Sequence, residues 1–99
     1  MDRMKLEFAS QHLAIILTDQ AHKLGLPLGV TKSCRDKLHA IMNASSELTL
    51  RNMRSLQYKK LEGSDLRQIR INDQYRVHFL LDDSTSPPTV TVTFIGDPH

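Results

Sequence analysis

Ninety-nine residues, 39% of them apolar, suffice for one modest core and leave no length for a second domain. No apolar run approaches the roughly 18 residues of a membrane span, and MDRMKLEF lacks the apolar stretch of a signal peptide, so a cytoplasmic protein with no membrane partner is expected. The single cysteine, Cys34, excludes an intramolecular disulfide, and a formal net charge of only +2 means that nucleic-acid binding has to be argued from where the cations sit.

Met4, Leu6 and Phe8 alternate with Lys5 and Glu7, a period of two that predicts a short first strand. Ser10 is placed to cap a helix whose face carries Leu13, Ile16, Leu17, Ala21 and Leu24, and Gly25 is placed to end it. After the connector LGLPLG, Thr31 or Ser33 can cap a second helix in which Cys34, Leu38, Ile41 and Met42 share a face; Cys34 reads there as a small core residue. The segment ASSEL after Asn43 then closes a helical hairpin, whose short connection predicts antiparallel packing.

The second half changes period. LQYKKLEG, DLRQIRIN, QYRVHFLLD and TVTVTFIG read as strands or partial strands separated by GS, NDQ and DDSTSPP. Ile69 and Ile71 alternate with polar neighbours, as do Tyr75, Val77 and Phe79; Val90, Val92 and Phe94 alternate with Thr91, Thr93 and Ile95. A sheet with one greasy face and helices with one greasy face cover each other. The expected fold is a small single α+β domain over residues 1–99, of β-α-α-β-β-β order, with a mostly antiparallel twisted sheet and two N-terminal helices packed on one face.

Cations cluster in this half. Arg51, Arg54, Lys59, Lys60, Arg67, Arg70 and Arg76 face only Glu62, Asp65 and Asp73 between residues 51 and 76. With Ile69, Ile71, Val77 and Phe79 turned to the helices, the pleat sends Arg70, Arg76 and His78 to the opposite face. Like charges at neighbouring sheet positions repel, and an anionic ligand relieves the repulsion; the arginine fork suits phosphate. Lys59, Lys60 and Arg67 flank the hairpin, and His99 follows the last strand. Cations with imidazoles are the parts of phosphodiester chemistry, cations to hold the phosphate and groups to move protons. His12, His22, His39, His78 and His99 show no metal-ligand spacing, His12, His22 and His39 read as exposed helix residues, and neither a metal nor a cofactor is expected. No P-loop, GxGxxG or GxSxG is present.

The run LEGSDLRQIRINDQYRVHF, followed by TVTVTFIGDPH, resembles the RelE/ParE toxin superfamily, and within it the HigB-like plasmid-maintenance branch, over residues of roughly 48–99. The branch shows L-K-G, a short turn, S-I-R-I-N-D-Q-[YW]-R-I-x-F and a terminal D-Y-H. The resemblance implies the toxin of a type II toxin–antitoxin pair, a metal-independent, ribosome-dependent messenger endoribonuclease. It implies as partners the ribosome and mRNA, a small helix-turn-helix antitoxin, and operator DNA reached only through the antitoxin complex. By the same resemblance Arg76 stabilises the phosphate in the transition state, Arg70 orients the RNA backbone and His99 transfers a proton. Lys59, Lys60, Arg67, His78 and Asp97 are expected to contact RNA. Two positions depart from the branch: Glu62 stands where it has the lysine of L-K-G, and Pro98 where it has the tyrosine of D-Y-H. These departures keep two alternatives open, a ParE-like inhibitor of DNA gyrase without nuclease activity, and a catalytically degenerate member that only binds its antitoxin.

Overall fold

The computed structural model describes residues 3–98. Its first strand, β1, is Lys5–Phe8, followed by α1, a single helical turn over Gln11–Ala14 that Ser10 caps by accepting a hydrogen bond from the Leu13 N–H. The one helix expected from Ser10 to Leu24 is in fact broken. Two 3₁₀ turns, Ile15–Leu17 and Ala21–Leu24, replace its continuation, with Thr18 extended between them. Thr18 breaks it locally: its hydroxyl donates to the Ile15 carbonyl at 2.8 Å and accepts from the Gln20 N–H at 3.1 Å, offering the backbone an alternative to the helical ladder. The carbonyls this leaves open are taken by Arg35, whose Nε donates to Ile16 O at 2.7 Å and whose Nη2 donates to Thr18 O.

The long helix α2 runs Leu28–Asn43, beginning before either expected cap, with Pro27 supplying a φ of −54° at the N-cap position. Val30, Cys34, Leu38 and Ile41 form its buried stripe. Instead of a bare connector, ASSEL starts a third helix, α3, at Glu47–Asn52: Ser46 accepts from the Thr49 N–H at 3.2 Å, and Leu50 is buried. The chain then passes a 3₁₀ turn at Arg54–Leu56 into β2 (Lys59–Lys60), β3 (Arg67–Arg70), β4 (Arg76–Asp82) and β5 (Thr89–Gly96).

The five strands lie in the order β1-β5-β4-β3-β2; β1 runs parallel to β5 and the other neighbours are antiparallel. The expected α+β domain, with a mostly antiparallel sheet covered by helices, is the observed one. Ile69, Val77, Phe79, Val90 and Val92 from the sheet join Ile16, Leu38, Ile41, Leu50 and Leu56 from the helical half in one core, so the helices cover one face of the sheet. Each of these fully buried side chains contributes roughly 1.5–3 kcal/mol. Cys34 lies in the same core, and burial pushes its thiol pKa up to about 12, which keeps it neutral. Among the described residues no helix is long and apolar enough to cross a membrane.

Candidate nucleic-acid interface

The site is built on the β3–β4 hairpin. Arg70 pairs directly with Arg76, and Gln68 with His78, so these four side chains share the face opposite Ile69 and Val77. The connecting turn is held by Asn72, whose Oδ1 accepts from the N–H groups of Gln74 and Tyr75 at 2.9 and 2.8 Å, an Asx arrangement. This closed turn aims two carbonyls at one guanidinium: Arg76 Nη1 donates to Tyr75 O at 3.0 Å and to Asn72 O.

The two arginines differ in their partners. Arg70 pairs with the Asp73 carboxylate. Arg76 makes no ion pair among the described residues, and its only acceptors there are neutral carbonyls. Asp97 is close to the same turn, where its Oδ2 accepts from Gln74 Nε2 at 2.9 Å, and Gly96 pairs with Arg76 across β4–β5. Arg70, Arg76 and Asp97 are thus brought together at one end of the open face. His78 is the next outward residue along β4. Its Nε2 lies 3.1 Å from Gln68 Oε1, an acceptor, so Nε2 carries the proton and donates. Burial lowers its pKa and favours the neutral ring.

The flanking cations divide. Lys59 pairs with Gln68 and so belongs to the open face, whereas Lys60 pairs with Arg67, which pairs with Phe79 on the opposite face. Arg67 is tied into a separate cluster at the helix side. Its Nε lies 3.3 Å from the Tyr58 hydroxyl and 3.6 Å from Glu47 Oε2, and Tyr58 donates to the same carboxylate. Arg51 lies over the Tyr58 ring at 5.1 Å. The Tyr58 hydrogen bond, reinforced by Arg51 and Arg67 against the cost of burial, holds the Glu47 pKa below its ordinary value. Burial and the same carboxylate push Tyr58 up to about 12. The hairpin reading therefore grouped Arg67 and Lys60 with a face that the pairing register does not give them. His99, expected to transfer a proton, lies outside the described residues. Glu62 is exposed in the turn between β2 and β3. His12, His22 and His39 are exposed, as expected.

Sequence reasoning missed Gln68 as the partner of His78, and it missed Phe94, which it turned to the core. Phe94 instead pairs with His78, its ring tilted against the imidazole at 5.2 Å between ring centroids. Two surface depressions, about 550 Å³ beside residues 60–65 and about 340 Å³ lined by Leu26, Leu28 and Arg35 among others, include none of Arg70, Arg76 and His78 in their linings. Among the described residues no three His, Cys, Asp or Glu side chains gather to hold a metal ion.

No protein-family model matches the chain, and no curated protein is significantly similar to it. Solved structures do match. A YoeB/ParE toxin from Agrobacterium tumefaciens superposes with a TM-score of 0.63 at 13% identity, covering 97% of this chain and 100% of that one. A chain of a YoeB–YefM complex from Staphylococcus aureus gives 0.57 at 16% identity, covering 98% and 99%. The fold is that of the RelE/ParE-like toxins over essentially the whole chain.

Proposed function

We propose that this chain is the cytoplasmic toxin of a type II toxin–antitoxin pair and acts as a metal-independent endoribonuclease on messenger in the ribosome. One observation carries the reading: Arg76 stands on an open sheet face, across from Arg70, with carbonyl partners where Arg70 has a carboxylate. Two guanidinium groups at adjacent positions form a cradle for one phosphate, and the group that makes no ion pair among the described residues gains most from it. In the reaction a ribose 2′-hydroxyl gives up its proton to solvent water and attacks the adjacent phosphorus, and the bond to the 5′-oxygen breaks, leaving a 2′,3′-cyclic phosphate. Arg76 stabilises the extra negative charge of the five-coordinate transition state. Arg70, oriented by Asp73, positions the backbone, and His99 gives its proton to the departing 5′-oxygen.

The partner is a cognate antitoxin, a small helix-turn-helix protein through which the pair reaches operator DNA. The match to a YoeB–YefM complex supports a protein partner for this fold. Expression of the chain without an antitoxin in cells, with primer-extension mapping of message ends, tests the reading. Growth arrest with new 5′ ends, both abolished by Arg76→Ala, is the expected result; arrest that persists in that variant overturns the role of Arg76.

A second reading is favoured by Glu62, whose carboxylate stands exposed where the HigB-like branch has the lysine of L-K-G. It is a ParE-like inhibitor of DNA gyrase with no nuclease chemistry. SOS induction with intact messages after expression selects it, and translation arrest with cut messages excludes it.

A further inference from the structure

One residue of β5 departs from regular alternation, and that departure decides what the open face presents. Val92 pairs with Phe79 and Phe94 with His78, so Thr93 is an extra residue on β5. Such a bulge reverses the inward and outward order beyond it. Ile95, paired with Val77, turns to the core, and Phe94 turns out. Of the three phenylalanines, Phe79 is fully buried, Phe8 packs against the core, and Phe94 does neither.

Turning a phenyl ring away from the core forfeits apolar burial, and its surroundings give that position a use. The ring lies against His78 at 41° between planes. Its tip reaches over Gly96, where a Cβ would come within 3.1 Å of Phe94 Cζ. Gly96 is the residue directly across from Arg76. The missing side chain at 96 is thus the space the ring occupies, and the ring spans from the His78–Gln68 row toward the Arg76–Arg70 row. The two rows lie about 7 Å apart, two residues along a strand. An aromatic face, a guanidinium without a carboxylate partner among the described residues, and a neutral imidazole–amide pair therefore adjoin on one surface.

We propose that Phe94 is a stacking platform for one base of a single-stranded RNA whose neighbouring phosphate Arg76 holds, with the His78–Gln68 pair at the base's polar edge. This rests on the reading of the chain as an RNA-cleaving toxin and adds a nucleobase subsite to it. Charge complementarity selects the occupant. An apolar peptide would cover Arg76 without supplying an anion, which is costly. A duplex keeps its base faces stacked internally, whereas a single strand can lay a base on a flat aromatic surface beside a cation.

The chain contains no tryptophan, so Phe94→Trp places a single indole in the subsite. Titrating that variant with hexauridylate should quench its fluorescence saturably, and an abasic ribose-phosphate hexamer should bind at least tenfold more weakly. Absence of quenching, or equal binding of the two oligomers, overturns the platform. In cell-free translation Phe94→Leu should slow message cleavage roughly 5- to 150-fold, the effect of losing one stacked base, while Phe94→Tyr keeps the rate near that of the unaltered chain. Full-rate cleavage by Phe94→Leu overturns the platform and leaves the nuclease reading standing. If the unaltered chain cuts no message, the nuclease reading falls, and the titration still decides the platform. Melting curves for both substitutions should stay within a few degrees of the unaltered chain, because the ring lies outside the core.

Discussion

Arg76 and Arg70 stand directly opposite each other in the β3–β4 pair, and of the two only Arg70 makes an ion pair among the described residues. Two like charges at paired sheet positions destabilise the hairpin, and Asp73 relieves one of them from the turn that joins the strands. The arrangement leaves one guanidinium oriented by backbone carbonyls and still able to accept an anion.

Arg76→Ala is expected to lower message cleavage about 100- to 1,000-fold, as removal of a single transition-state donor does elsewhere. Its hydrogen bonds go to carbonyls at the surface, so the loss of stability should be about 0.5–1.5 kcal/mol. Rate measurements on purified ribosomes together with thermal melts check both halves. A variant that unfolds while losing activity would assign Arg76 to the fold.

The Glu47–Tyr58–Arg67 cluster ties α3 to the edge of the sheet. Tyr58→Phe removes the hydroxyl shared by Glu47 and Arg67 and should cost about 1 kcal/mol, or roughly 4–8 °C in melting temperature for a domain of this size. The catalytic rate at a temperature where the variant is folded should not change. Since the Glu47 pKa is lowered in the folded state, the carboxylate stabilises the fold above its ordinary pKa, and that contribution disappears as pH falls through the lower folded value. Melting curves from pH 7 to pH 3 should therefore converge for Tyr58→Phe and the unaltered chain at the acid end.

Deleting Thr93 should be tolerated. The deletion makes β5 continuous opposite β4 and keeps Phe94 outward and Ile95 inward, because the extra residue is the one removed. It loses the hydrogen bond from Thr93 Oγ1 to His78 O at 3.3 Å, a cost of about 1 kcal/mol. Circular dichroism and amide exchange of β4 and β5 test this; a molten or unfolded product would show that the bulge's local twist is required.

Two groups, the half-buried His78 and the buried Cys34, give the stability curve opposite slopes. The His78 pKa is lowered by burial, so the folded chain refuses a proton that the unfolded chain accepts, and stability is lost as pH falls below about 6.5. His78→Gln should flatten the melting temperature between pH 7.5 and pH 5. The Cys34 pKa is raised to about 12, so stability is lost in the other direction, as pH rises from the ordinary thiol value toward that figure. Ellman's reagent should leave the native thiol unmodified at pH 8 and react with it promptly after denaturation.

Several parts of the site were legible from the sequence because they depend on local periodicity. Alternation about Ile69, Ile71, Val77 and Phe79 placed Arg70, Arg76 and His78 together on the opposite face, and the pairing confirms that grouping. The turn residues Asn72–Gln74 marked the hairpin that makes them neighbours. The same rule failed for Phe94, since period-two reading assumes an unbroken strand and Thr93 breaks it. It failed for Arg67 in another way: distance along the chain grouped it with Arg70, but an odd separation put it on the other face, against Tyr58 and Glu47.

The sequence by itself determined the class of fold, the open face and the cations on it, because hydrophobic period and turn chemistry are local properties of the chain. Tertiary structure supplied the partner at the break of the first helix, where Arg35 from α2 takes up the carbonyls freed near Thr18. It also decided that a phenylalanine faces outward over a glycine. Each of these outcomes depends on a partner distant in sequence or on a register fixed by a neighbouring strand, and neither can be read from spacing along one segment.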